Sequence, residues 1–272
     1  MRTLPVVLTI AGSDSGGGAG VQADLHTFAR FGCWGTSALT CLTAQNPDGV
    51  SRVDAVEPGM VAEQIRMVAA RFPLRAAKIG MTYSGPVVEA IAQSLRRHAP
   101  GVPVVLDPVM RATSGASLLR EDGEAALLRS LFPLARVVTP NLVEAAALAG
   151  TQALVDLAAM EEAARRIQAL TPGAVLVKGG HLAGDATDVL LSDRRTVRLA
   201  GERVATAFTH GTGCSLSAAI AAGLALGRGL EAACREAKEY VSRLLRESVV
   251  LGDERLGGLG FVREDGRGRA SA

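Results

Sequence analysis

The segment His210-Gly211-Thr212-Gly213-Cys214 places a cysteine just behind a glycine-bracketed turn, at the start of an alanine-rich run reaching Ile220. The first N–H groups of a helix have no intrahelical partner, and the summed peptide dipoles make that end partly positive. Glycine removes the side chain that would keep a ligand from those donors. The result is an anion site whose field also favours a cysteine thiolate. A plain alternative stands beside it: a glycine turn leading into a packed helix, with Cys214 a small buried hydrophobe.

Further polar clusters follow apolar runs along the chain: Gly12–Gly20, Gln45-Asn46, Lys78–Met81, Asp107–Met110, Thr139–Asn141 and Lys178–His181. Ligands of open α/β sheets gather outside the carboxyl ends of strands, so this recurrence predicts one active-site rim. Gln45 offers donor and acceptor together, able to pair with an aminopyrimidine-like edge; the alternative is a turn ahead of Pro47-Asp48-Gly49. Asp107 is a candidate to order a metal-bound water or phosphates, or else a simple cap. Asn141 and Glu144 fall on one helix face and offer oxygen ligands of the kind magnesium prefers, although Asn followed by Glu at the third helical position is also a capping box. Lys178-Gly179-Gly180 sets a compact cation beside open backbone, suited to a phosphate. His181 and His210 read as structural, and no Ser-His-Asp arrangement can be assembled. Gly18-Ala19-Gly20 imitates a dinucleotide fingerprint, but the next strand brings no ribose-binding acid.

The elements that must carry these groups alternate. Predicted strands are Val6–Ala11, Gly35–Cys41, Ala76–Ile79, Val102–Asp107, Val137–Thr139 and Ala174–Lys178, then a hairpin or β-meander over Asp185–Leu191 and Thr196–Ala207. Helices are expected over Val21–Arg30, Gly59–Arg71, Gly85–His98, Glu121–Leu131, Leu142–Ala149, Leu157–Leu170, Gly213–Leu226 and Leu230–Glu247. Such βαβ alternation predicts an α/β fold with a mainly parallel sheet. Residues 1–251 are expected to form one domain, with 252–272 a loose tail.

Composition narrows the function. A net charge of +2 and 3% aromatic residues over 272 residues argue against nucleic acid or membrane partners. The cysteines Cys33, Cys41, Cys214 and Cys234 have no zinc spacing, and neither a secretion signal nor a spanning segment is visible, so a cytoplasmic location is expected. Lysine occurs only as Lys78, Lys178 and Lys238 and asparagine only as Asn46 and Asn141. All but Lys238 sit at glycine- or proline-rich turns, where arginine or glutamine would not serve.

As an ordered set, Ala11–Leu25, Leu42–Asn46, Lys78–Met81, Asp107–Met110, Thr139–Leu142, Val177–His181 and His210–Cys214 make the chain resemble the hydroxymethylpyrimidine/phosphomethylpyrimidine kinases of thiamin biosynthesis. These are a branch of the ribokinase-like family. The resemblance implies a three-layer fold, helices on both faces of the sheet, ATP and Mg2+ as cofactors, a small-molecule substrate and a homodimer. It implies that Gln45 pairs with the pyrimidine, that Met81 and Val109 wall it, and that Asp24 and the Gly12–Gly20 loop border it. Asp107, Asn141 and Glu144 would organise magnesium and phosphate, and Lys178 the nucleotide phosphates. Gly211, Thr212 and Gly213 would form the anion hole. Cys214 would be the base for the substrate hydroxyl, where the wider family carries Asp. Thr113, Ala116 and Phe208 depart from the usual pattern, as does the tail. Pyridoxal kinase is the alternative within enzymes; a non-catalytic pyrimidine-binding regulator would be expected to lack Lys178, Asn141 or Cys214, and a sugar kinase would carry Asp at 214.

Overall fold

Five strands bury both faces, and this is why they read as short continuous apolar runs rather than alternating ones. In β1 (Val6–Ala11), Leu8 and Ile10 enter one apolar layer and Val7 the other. The same two-residue alternation splits β5 (Leu74–Ile79), β6 (Val104–Leu106) and β8 (Ala174–Val177), and in β7 (Ala135–Val138) the neighbours Val137 and Val138 enter opposite layers. The computed structural model describes residues 3–46, 48–110, 118–182, 184–251 and 253–260; positions 113 and 116 lie outside them.

With β2 (Trp34–Leu39), β9 (Asp188–Ser192) and β10 (Arg195–Leu199), these strands form an eight-stranded sheet in the order β10-β9-β8-β7-β6-β5-β1-β2. All neighbours are parallel from β2 across to β8, and β9 and β10 are added antiparallel. One face carries α2 (Pro58–Arg71), α3 (Gly85–His98), α4 (Glu121–Ala126), α5 (Leu142–Ala149) and α6 (Leu157–Gln168). The other carries α1 (Gly20–Arg30), α7 (Thr212–Ala225) and α8 (Leu230–Arg246). This is the expected three-layer α/β arrangement. The chain moves from β1 to β2 on one side and to β5 on the other, so the strand order reverses beside β1, the place where such sheets bind ligands.

Four expectations are corrected. Gln45 and Asn46 lie on a strand that leads into the turn rather than in a loop: they end β3 (Cys41–Asn46), which pairs with β4 (Gly49–Ala55) in a separate two-stranded ribbon. Asn46 Oδ1 closes that ribbon by accepting from the backbone N–H groups of Asp48 and Gly49. The strand expected to Ala207 stops at Leu199. The helix expected over Glu121–Leu131 is α-helical only to Ala126 and widens into a π-turn over Leu127–Leu131. Finally, Asp253–Gly258, expected within a loose tail, is a strand, β12, paired with β11 (Val249–Leu251). Glycine at 257 is what permits it: a side chain there would start 2.4 Å from the ring of Phe208. The unusual Phe208 and the glycine-rich tail thus explain each other. Among the described residues no helix is long and apolar enough to cross a membrane.

Candidate active site

The strand ends beside β1 converge on a cavity of about 190 Å3. Its lining includes Gly12, Gln45, Met81, Asp107, Val109, Asn141, Glu144, Lys178, Gly211, Thr212, Gly213 and Cys214. Groups as far apart in sequence as Gly12 and Cys214 are therefore brought to one place. Asp24 is the exception. Its side chain is fully buried on α1 and paired with Lys78 Nζ at 2.8 Å, beneath the cavity rather than on its wall. A carboxylate in so apolar a layer is tolerable only against a cation, and Lys78 supplies it.

The turn before α7 is built on Gly211, which has φ of 85° and caps the helix in the left-handed region. A side chain at this position would begin 1.8 Å from the carbonyl oxygen of Gly18, so the turn and the Gly12–Gly20 loop can only meet through glycine. Gly211–Cys214 line the cavity, so the start of α7 borders it. Thr212 N–H is donated to Thr209 O and Ser215 N–H to Gly211 O, which leaves, among the described residues, the N–H groups of Gly213 and Cys214 as the helix's unpaired donors.

Lys178 follows β8 and is tied to the end of β7: its N–H donates to Pro140 O, and Asn141 pairs beside it. Its ammonium donates to Asp107 Oδ1 at 2.7 Å. Thr139 Oγ1 donates to the same oxygen at 3.1 Å, and Ser217 Oγ to Oδ2 at 3.3 Å. Lys178 Nζ lies 3.3 Å from where a side chain at Gly213 would start, so cation and anion turn are adjacent.

Asn141 and Glu144 realise the capping box: Asn141 Oδ1 accepts from Glu144 N at 2.9 Å, and Glu144 Oε2 accepts from Asn141 N at 2.8 Å. Glu144 nevertheless borders the cavity, and burial pushes its carboxyl up to about 7, with Lys178 and the N–H groups of Asn141 and Met110 opposing and Asp107 adding. A carboxyl raised from about 4.5 by folding stabilises the fold fully below 4.5, and that contribution is lost as pH rises through about 7. Moving a carboxyl's titration midpoint by one pH corresponds to on the order of 1.4 kcal/mol. Glu144→Gln keeps an oxygen for Asn141 N–H and cannot ionise. Thermal melts of the ligand-free variant should therefore show a flatter slope than the parent between pH 5 and 8, and a higher Tm at pH 8; parallel curves would show that Glu144 does not titrate there.

Cys214 is half-buried. Burial pushes its thiol above the ordinary value, against the opposing charge of Lys78 and a Gly20 N–H donated to the sulfur; Asp24 and Asp107 push it further up. The thiolate that the helix field favours is thus opposed: burial outweighs the Lys78 charge and the Gly20 N–H.

Sequence reasoning misses one connection. His210 reads as structural along the chain, yet its Nε2 lies 2.9 Å from Asp14 Oδ2 and 3.4 Å from Gln45 Nε2, in the cavity wall. Asp14 also accepts from the N–H groups of Gly16 and Ala19. Burial pushes the Asp14 carboxyl up, but His210 and those N–H groups outweigh it and the net shift is downward. His210 therefore pins the glycine loop to the anion turn. A histidine beside an anion turn, with a lone Asp in the facing loop, is the available signal. His181, by contrast, is exposed and outside the cavity. A larger, mostly apolar space of about 350 Å3 lies behind Gly16–Gly18 and His210, between α1, α8 and the β11–β12 ribbon, and also touches Asp14, His26, Arg30 and Tyr240; Cys214, Lys178, Asp107 and Glu144 line the smaller one instead.

A parallel sheet wrapped by helices, with a cation, carboxylates and an anion turn at its strand ends, defines a ribokinase-like small-molecule kinase. Solved structures agree: a Bacillus subtilis pyridoxal kinase with ADP has a TM-score of 0.86 at 35% identity, covering 95% of this chain and 97% of its own. A phosphomethylpyrimidine kinase from Clostridium difficile has a TM-score of 0.77 at 38% identity, covering 88% and 98%. The phosphomethylpyrimidine kinase family profile matches residues 14–258. A hydroxymethylpyrimidine/phosphomethylpyrimidine kinase of Rhizobium meliloti is 50% identical over 87% of this chain and 88% of its own, and one of Synechococcus elongatus is 47% identical over 92% and 94%. The chain belongs to the phosphomethylpyrimidine kinase family and is a phosphotransferase.

Proposed function

We propose that the chain uses ATP to phosphorylate the hydroxymethyl group of 4-amino-5-hydroxymethyl-2-methylpyrimidine, and then the resulting monophosphate, in thiamin diphosphate biosynthesis. One observation carries this reading: Cys214, the anion turn, Lys178 and the Gln45–Met81 wall border a single cavity. Phosphoryl transfer needs positioning and charge stabilisation more than covalent help. Gln45 offers its amide to the pyrimidine edge, with Met81, Val109 and Gly12 around the ring. Cys214 takes the proton of the hydroxymethyl oxygen, a general-base role. The N–H groups of Gly211 and Gly213, held by the Thr212 turn, and the Lys178 ammonium stabilise the transferring phosphoryl oxygens.

Among the described residues no group of three ligating side chains forms a protein-only metal cage. That suits Mg2+, which keeps several waters and binds through one or two carboxylates and substrate phosphates. Asp107 and Glu144, both on the cavity wall, would hold it through water, with Asn141 beside them. When bound, the metal neutralises phosphate charge.

Trp34, Leu42, Met60 and Met67 are each more than half exposed on β2, β3 and α2. This apolar exposure supports a homodimer, and the free cysteines Cys33, Cys41, Cys214 and Cys234 fit a cytoplasmic location. An ATP-consumption assay with the aminopyrimidine and pyridoxal side by side, with product masses read, tests the assignment. Mono- and diphosphorylated pyrimidine are expected. Exclusive turnover of pyridoxal would instead establish the second reading, which the similarity to the Bacillus subtilis pyridoxal kinase favours.

A further inference from the structure

Lys78 is a fully buried lysine that the proposed chemistry leaves unused. It pairs with Thr9 across the β1–β5 register and lines the same cavity as Cys214. Among the described residues its hydrogen bond goes to Asp24 Oδ2 at 2.8 Å, which leaves two of its three donors uncommitted. Asp24 Oδ2 also accepts from Thr9 Oγ1 at 2.5 Å, while Oδ1 is buried without a partner among the described residues. A pair serving only to knit β1, β5 and α1 together would leave neither group half-satisfied, since each unpaired buried polar atom costs about 1–3 kcal/mol. Glycine at position 80 keeps the space open: a side chain there would begin 2.8 Å from Lys78 Nζ.

We propose that Lys78, held in place by Asp24, is the positioning residue that supplies the counter-charge for the Cys214 sulfur from beneath the cavity. This rests on the reading of Cys214 as the base. The charged groups facing the sulfur are Lys78 from β5, Asp24 from α1, Asp107 after β6 and Lys178 after β8, with the Gly20 N–H donated from the start of α1. Two of them are anions that disfavour a thiolate, and burial disfavours it more, so a cation locked against the site is what the base requires. Burial would pull the Lys78 ammonium down, but Asp24, Cys214 and Asp107 hold it charged. Lysine suits the role because its compact charge fits a space closed on all sides.

The test is the pH dependence of alkylation of Cys214 by iodoacetamide in the full-length protein, read by mass on the Cys214 peptide. It compares the parent with Lys78→Met and with the double variant Asp24→Asn/Lys78→Met. The double variant removes both charges together, which folds tolerate better than a lone buried charge, and its melt checks folding. In Lys78→Met the alkylation midpoint is expected to rise by about one pH unit or more, with alkylation at least about tenfold slower below it. In the double variant it should rise by less, because an anion that disfavours the thiolate leaves with the cation, and the alkaline limb of kcat should move in step. A midpoint unmoved in the folded double variant overturns the proposal. So does a shift confined to Lys78→Met, which would trace to the stranded Asp24 carboxylate. The base reading is separable: if Cys214→Ala retains turnover it falls, while a moved midpoint still supports the counter-charge.

Discussion

Cys214→Ala should fold normally and lose about 10²–10⁴-fold in kcat, the usual contribution of a positioned general base. The change trims one atom from a half-buried side chain, so stability should move by about 1 kcal/mol or less, and a melt will separate loss of chemistry from loss of fold. KM for the pyrimidine should change little, because the ring is held by Gln45, Met81 and Val109 rather than by the sulfur. The parent has a thiol pushed up by burial, so its kcat should rise with pH as Cys214 ionises. Cys214→Asp, whose carboxyl is a far stronger acid than a thiol, should keep measurable activity with its rise moved to lower pH. Steady-state kinetics from pH 6 to 9 check all three enzymes. A normal kcat in Cys214→Ala would remove the sulfur from the mechanism.

Gly211→Ala should cost about 10²–10³-fold in kcat, the scale measured when one preorganised oxyanion donor is lost. Two constraints coincide there: φ of 85° and a first side-chain atom 1.8 Å from Gly18 O. Alanine can be admitted only if the turn and the glycine loop separate. That move re-aims the N–H groups of α7 and stretches the His210–Asp14 contact. Strain in the left-handed region adds on the order of 1–2 kcal/mol, so the melt should fall as well. Binding of the pyrimidine alone, measured calorimetrically, should persist, since the Gln45 ribbon is untouched. Unchanged kcat and Tm together would show that the turn plays no part in stabilising the phosphoryl group.

Much of this is legible in one chain. The glycine turn, the Asn141–Glu144 pair and the strand-end lysines announce themselves because short-range rules, φ preference and capping, leave marks within a few residues. Parallel strands buried on both faces likewise leave apolar runs that any reader of periodicity finds, and the cap of α5 bounds that helix correctly. The β3–β4 ribbon escapes sequence reading because its inward residues include a polar threonine, which hides the two-residue alternation. The β11–β12 pair escapes it because glycines that look like a loose tail are there to admit the ring of Phe208.

Sequence alone determined the inventory: a fold of alternating strands and helices, an anion turn, a cysteine, and lysines and asparagines reserved for glycine- and proline-rich turns. Only tertiary structure decided how the inventory is shared out. It sent Asp24 under the floor to meet Lys78, joined His210 to Asp14 across almost two hundred residues, and raised the Cys214 and Glu144 protons by burial. The physical reason is that charge and desolvation act through space. A side chain's ionisation depends on which groups from other elements close around it, and spacing along the chain carries no record of that.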